Sequence, residues 1–439
     1  MRRNRMCCLG VLAALLTLLS GCMLKTVDQM YCLPRRSEEY HNLQAAMDQV
    51  MSGLEYCAPL QGENQQTVQM VDLTGDGQSE ALVFAKGVGE RPLKIFIFAK
   101  EHGAYVNTAT IETAGTAFEQ VEYADLDGAG GVELVVGRQV SNEVVHALSA
   151  YTFSQGTPET LLTANYSRFL TVDLDRDNLR ELFLLRPGAD GGNGVAELYD
   201  YRGGAMERSA EAVMSVPVEN LKRMTAGGMY QETQAVFAAS NYDEDTIITD
   251  VYAIVKDRLT NVSLSSESGT SVKTIRNYYV YGDDIDNDGL MELPSLVPME
   301  EASSGGRELI RWYNLTPEGT EVEKLYTFHN YADRWYVCIQ RDWVDTVSVT
   351  RGADVAGVQG YVFSAGRDQK HQVLFTIYAF TGDNREELAA SDGRFPLAKT
   401  DEVTYAACLG GGSMGRQLDQ KTLISYFNFI REDWKTGEM

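Results

Sequence analysis

Four stretches of this chain repeat one acidic turn, and that repetition limits the possible folds more than any other feature. Asp72-Leu73-Thr74-Gly75-Asp76-Gly77-Gln78-Ser79-Glu80 runs into Ala81-Leu82-Val83-Phe84. Asp125-Leu126-Asp127-Gly128-Ala129-Gly130-Gly131-Val132-Glu133 runs into Leu134-Val135-Val136. Asp173-Leu174-Asp175-Arg176-Asp177-Asn178-Leu179-Arg180-Glu181 leads into Leu182-Phe183-Leu184-Leu185, and Asp284-Ile285-Asp286-Asn287-Asp288-Gly289-Leu290-Met291-Glu292 into Leu293. Their first acids lie 53, 48 and 111 residues apart, so the last gap holds two periods. A degenerate unit fills it: Gln234-Ala235-Val236-Phe237-Ala238 mirrors Glu80-Ala81-Leu82-Val83-Phe84 without the turn acids. Aromatic residues recur at matching offsets later in each unit: Phe96 and Phe98, Tyr151 and Phe153, Tyr199 and Tyr201, Tyr252, and Trp312 with Tyr313. Four short strands recurring about every 50 residues is the pattern of a β-propeller blade. The expectation is a mainly β chain with about five blades between residues 61 and 328.

The nine turn positions have a chemical logic. Side chains at positions 1, 3, 5 and 9 can converge on one centre, while position 2, apolar every time, points into the core. Position 6 needs a positive φ and is Gly77, Gly130, Asn178 or Gly289. Converging carboxylates suit a hard cation, and Ca²⁺ takes 6–8 oxygens in flexible geometry. The EF-hand is excluded, because its acid at position 12 is replaced by Val83, Val136, Leu184 and Ser295 and strands flank the loops. The same acids can instead close Asx turns with no metal. These loops resemble the FG-GAP or VCBS-type repeats of calcium-binding β-propellers, including those of integrin α-subunits. The resemblance implies calcium on the blade loops. Asp284, Asp286, Asp288 and Glu292 match best, and Asp173, Asp175, Asp177 and Glu181 follow. Asp72, Thr74, Asp76 and Glu80 depart at position 3, and Asp125, Asp127 and Glu133 lack the position 5 acid because Ala129 stands there.

The amino terminus supplies a second reading. Arg2, Arg3 and Arg5 precede an uncharged apolar stretch, residues 6–19, which is too short for a relaxed membrane span of about 20 residues. It ends in Leu19-Ser20-Gly21-Cys22, which resembles the lipobox of bacterial lipoproteins. That implies a signal peptide over 1–21, cleavage before Cys22, and a diacylated cysteine holding the protein at the extracytoplasmic face of a membrane; two acyl chains suffice for stable anchoring. Residues 22–60 then read as a tether followed by an amphipathic helix from about Glu38 to Met51. Loss of three arginines and no acid would take the net charge from −24 to −27. So acidic a protein is excluded from phosphate-contact binding of nucleic acid.

From residue 329 the repeat stops. Strands around Trp335–Ile339, 346–349, 358–364, 373–380 and Val403–Leu409, then a helix over 420–434 capped by Asp419, predict a small α+β domain spanning 329–439. Cys338 and Cys408 sit in apolar runs, where buried free thiols are expected. Gly411-Gly412-Ser413-Met414-Gly415 has the G-x-S-x-G spacing, but no histidine follows it, so a hydrolase elbow is not expected. The five histidines stand singly, without zinc spacing. The functional expectation is a non-enzymatic envelope protein that binds an unidentified protein or glycan. The competing class is an extracytoplasmic enzyme acting on polysaccharide through funnel carboxylates.

Overall fold

A computed structural model describes residues 38–430, apart from 141–145, 154–155, 245, 278–279, 304–305, 353–356, 367–370, 414 and 416–417. Cys22 and the rest of the expected signal and tether lie outside the described residues. The protein is mainly β, with six antiparallel sheets following one another along the chain. Helix α1 (Glu38–Val50) precedes them, and two short helices, α2 (Arg385–Ala389) and α3 (Gln420–Tyr426), come late. No helix among the described residues is long and apolar enough to cross a membrane.

Sheet one comprises Val68–Val71, Glu80–Lys86, Leu93–Glu101 and Ala104–Thr113, with Glu55–Tyr56 added beside Glu80–Lys86. Sheet two is Ala117–Ala124, Glu133–Gln139, His146–Thr152 and Glu159–Tyr166. Sheet three is Arg168–Val172, Glu181–Arg186, Val195–Arg202 and Ala205–Val213. Sheet four is Leu221–Met229, Thr233–Asp243, Thr246–Val255 and Arg258–Asn261. In each, hairpins join neighbouring strands in chain order. The acidic turns connect the first strand to the second in sheets one, two and three, and the turn at 284–292 feeds Leu293–Ser303 of sheet five.

The second strand of each sheet explains the packing. Its residues are apolar at both parities because both faces are covered. Ala81, Val83 and Ala85 face α1, while Leu82 and Phe84 face Phe118, Val121 and Val136 of sheet two. Val135 of sheet two meets Leu182 and Leu184 of sheet three, whose Phe183 and Leu185 meet Val236 and Ala238 of sheet four. Ala235 and Phe237 meet Leu293 and Tyr313 of sheet five. Helix α1 lays Met47, with Leu43 and Val50, over sheet one.

Sheet five shows where the expected domain boundary falls. Its strands are Leu293–Ser303, Gly306–Leu315, Glu321–Asn330, Trp335–Ile339 and Phe427–Phe429. Residues 328 and 329 are therefore adjacent positions within one strand. Trp335 and Val337 share a core with Phe363 and Phe375 of sheet six, which comprises Val347–Arg351, Val358–Ala365, Gln372–Thr381, Val403–Leu409 and Phe395–Lys399. The helix expected over 420–434 ends at Tyr426. Asp419 caps it, accepting from the Thr422 amide at 2.7 Å, but Phe427 then turns extended and pairs with Val337. Leu423, Phe427 and Ile430 of the expected stripe are all buried, yet Phe427–Phe429 is strand, and Trp434 lies outside the described residues.

The expected five-bladed ring needs correction in one respect. Among the described residues, no hydrophobic cluster joins sheet one to sheet five or six. The face of sheet one that closure would use is covered by α1, and sheet five packs on sheet six. The outer face of sheet six, with Phe380 and Ala406, is covered by Ala389 of α2.

Candidate metal centre in the repeated loops

The loops form a row along one edge of the sheets. Gly75 and Gly131 allow the first two to touch: a Cβ at Gly75 would lie 1.8 Å from the Gly130 carbonyl oxygen, and one at Gly131 2.2 Å from that of Leu73. The Arg180 amide donates to the Asp125 carbonyl at 2.9 Å, linking the third loop to the second. Arg176 Nη1 donates to the Glu232 carbonyl in the degenerate unit, and the Met291 amide donates to the Gly228 carbonyl at 2.7 Å.

Each loop is closed by one bond that the sequence pattern did not reveal. The apolar residue at position 2 enters the core and aims its amide at the position 9 glutamate. Leu73, Leu126, Leu174 and Ile285 donate to Glu80, Glu133, Glu181 and Glu292 at 2.9, 2.7, 2.7 and 3.1 Å. Position 4 also takes a positive φ, at Gly75, Gly128, Arg176 and Asn287, alongside the expected position 6. Several acids make the Asx-type bonds anticipated for a metal-free loop. Asp72 accepts from the Gly75 and Gly77 amides, Asp125 from Gly128, Asp173 from Asn178, and Asp284 from Asp288 and Gly289. These bonds leave part of each carboxylate's capacity unused, since an ionised carboxylate has about four acceptor sites.

The four loops then diverge. In the third, one oxygen from each of Asp173, Asp175, Asp177 and Glu181 falls within 4.8 Å of all the others. In the second, Asp125, Asp127 and Glu133 converge likewise, with Ala129 contributing nothing. In the fifth unit Asp284, Asp286 and Glu292 converge, but Asp288 is outside the group and is held by Lys324. Asp72, Asp76 and Glu80, with Thr74 at position 3, are not among the convergent groups of the described residues.

A position the sequence reading overlooked sets the chemistry beside each glutamate. It is the residue after the aromatic that pairs with the start of the strand leaving each loop: Phe98 with Ala81, Tyr151 with Leu134, Tyr199 with Leu182, Tyr313 with Leu293. The next residues are Ala99, Thr152, Asp200 and Asn314. Thr152 Oγ1 donates to Asp127 at 2.9 Å, and Asn314 Nδ2 donates to Glu292 at 2.7 Å. Asp200 puts a fifth carboxylate beside the third loop where the others have a donor or an alanine. Its Oδ2 accepts from Arg202, while its Oδ1 is buried without a hydrogen-bond partner, as is Asp173 Oδ1. The aromatic period was visible in the sequence, and reading one residue past it would have found this acid.

The electrostatics follow. Burial pushes Glu181 up to about 8, partly offset by the Leu174 amide and reinforced by Asp175, Asp200 and Asp173. Burial also raises Asp175. Glu292 is pushed by burial to about 7, against the donors Asn314 and Ile285. Asp288 goes the other way: burial opposes its ionisation, but the Lys324 ammonium and the Leu290 amide outweigh that and hold it below the usual range. Five carboxylates with two buried orphan oxygens fit a divalent cation in the third loop, because an unpaired buried charge is otherwise costly. Loop five already holds a positive group.

Comparison with known proteins adds little beyond the β architecture. No family model matches the chain, and no curated protein matches it. Among solved structures it is similar to the exotype rhamnogalacturonan lyase YesX, at 12% identity and a TM-score of 0.30, over 74% of this chain and 65% of that one. Rhamnogalacturonan lyase YesW gives 10% identity and 0.30, covering 80% and 72%. A Bacillus licheniformis rhamnogalacturonan lyase PL11 gives 11% identity and 0.29, with the same coverage.

Proposed function

We propose that this protein is a lipid-anchored, extracytoplasmic binding protein whose row of propeller-type blades, arranged as a capped arc, is braced by calcium. The anchor is Cys22, exposed by cleavage after Gly21. The third loop is the principal cation site, held by Asp173, Asp175, Asp177 and Glu181 with Asp200 beside them, and Asp125, Asp127 and Glu133 form a lesser one. Calcium suits these all-oxygen donors, and its tolerance of irregular coordination suits loops whose donors differ. When bound it would neutralise the convergent carboxylates and tie the first strand of a blade to its second and third.

The observation that carries this reading is the orphaned Asp200 Oδ1 beside four converging carboxylates, which an Asx turn leaves unexplained. A binding role is favoured over polysaccharide cleavage because the buried carboxylates Asp250 and Glu197, away from the loops, are engaged by donors. Asp250 accepts from Ser215, Asn261 and Ser271, and Glu197 from Arg186, Arg208 and Tyr199. The test is calorimetric titration of the metal-stripped, soluble mature chain with calcium, alongside its thermal unfolding. Uptake whose tightest component is lost in Asp175→Ala supports the reading, and absence of uptake in the parent rejects it. Screening the loaded chain against envelope glycans and host matrix proteins would identify the partner, and Cys22→Ser should lose detergent partitioning.

A further inference from the structure

The fifth-unit loop has the same four acids as the third and the expected glycine at the turn, yet its surroundings differ. Lys324, on the strand Glu321–Asn330, places its ammonium 3.2 Å from Asp286 Oδ2 and closer still to Asp288 Oδ2. The remaining acids are served by donors: Asp284 by two amides, and Glu292 by the Ile285 amide and Asn314. A positive group is thus already bound where the metal of a repeat loop would be expected.

We propose that Lys324 is the resident cation of this loop, so that a divalent ion reaches Asp284, Asp286 and Glu292 only by displacing its ammonium. Because the lysine is tethered, its effective concentration at the carboxylates is high and independent of the medium. It carries one charge where calcium carries two, so it holds the loop closed without saturating it. The lysine also has somewhere to go. It lines a cavity of about 460 Å³ together with Glu323, Tyr326 and Arg341, and its flexible four-carbon stem is partly exposed. The fifth loop is therefore self-neutralised at low calcium and a late-filling site at high calcium. The second half of this inference rests on the calcium reading above; the first half does not.

The experiment uses the soluble mature chain carrying Asp175→Ala, which silences the third loop, with and without Lys324→Gln. Lys324→Gln should lower the melting temperature of metal-free protein, calcium should restore it, and affinity at the fifth loop should rise about tenfold, within the usual range of site-to-site coupling. Asp286→Ala should abolish that gain, and Lys324→Arg, which keeps the charge, should behave as the parent. Equal calcium affinity in the Lys324→Gln chain and its parent overturns the proposal, as does an unchanged metal-free melting temperature. If no variant takes up calcium while Lys324→Gln still loses metal-free stability, the resident cation stands and the calcium reading falls.

Discussion

Residues 173–181 and residues 284–292 are built to one plan. Each begins with an aspartate that accepts loop amides, buries an apolar residue at position 2, turns through positive φ at positions 4 and 6, and closes on a glutamate that accepts the position 2 amide. By sequence the fifth-unit loop is the better match, with glycine rather than Asn178 at the turn. In the structure the neighbour of the third is Asp200 and that of the fifth is Lys324, which makes the third the stronger candidate for a cation. The plan fixes the frame, and residues reached across the sheet decide whether a carboxylate or an ammonium stands beside it.

The largest expected effect tests whether the frame is shared. Leu174 is 2% exposed and Ile285 7%, and each donates its amide to a buried glutamate. Truncating a buried aliphatic side chain costs roughly 2–5 kcal/mol. Leu174→Ala and Ile285→Ala should each fall in that range by chemical denaturation, whether or not calcium is present. A loss in only one would show that the loops are not equivalent frames.

The next effect separates their occupants. A ligand that binds only folded protein stabilises it by roughly 1.4 kcal/mol at a tenfold excess over its dissociation constant. Asp175→Ala should remove most of the calcium-dependent rise in melting temperature, and Asp286→Ala little of it. The reverse order would restore the ranking drawn from sequence alone. Within the third loop, Asp200→Ala should weaken calcium by several-fold, about 1 kcal/mol, the scale of one surface-accessible charge contact. Unaltered affinity would remove Asp200 from the site.

How much of this could be read from the chain depends on how far apart the interacting residues lie. The loop positions were legible because all nine are consecutive, and so were the second strands, because burial on both faces leaves an unbroken apolar run. The aromatic residues of the third strands were legible as a period. Lys324 was not, because it meets Asp286 and Asp288 through a strand two hairpins later. Asp200 was overlooked because it lies one residue past the aromatic Tyr199, and its place beside Glu181 comes from the pairing of Tyr199 with Leu182. The segment after Tyr426 kept helical spacing while pairing as a strand, with Phe427 beside Val337 and its ring against Trp335 and Tyr405. Local pattern gave the frame, and contacts set by sheet pairing gave its chemistry.

The smallest effect is a pH slope, and it distinguishes the two glutamates. Glu181 holds its proton up to about 8 in the folded, metal-free protein, whereas in the unfolded chain it releases it near the ordinary value of 4.5. Between those values the folded state binds more protons than the unfolded one, so unfolding free energy falls as pH rises through that window. Glu292 acts in the same direction but only up to about 7, because Asn314 donates to it. Metal-free protein should therefore melt at progressively lower temperature from about pH 5 to pH 8, and Glu181→Gln should flatten the part of that slope above pH 7. Saturating calcium should flatten it as well, since a cation favours the ionised carboxylate and its binding releases the proton. A slope above pH 7 that persists in Glu181→Gln would place the titrating group elsewhere and weaken the case for a charged third loop.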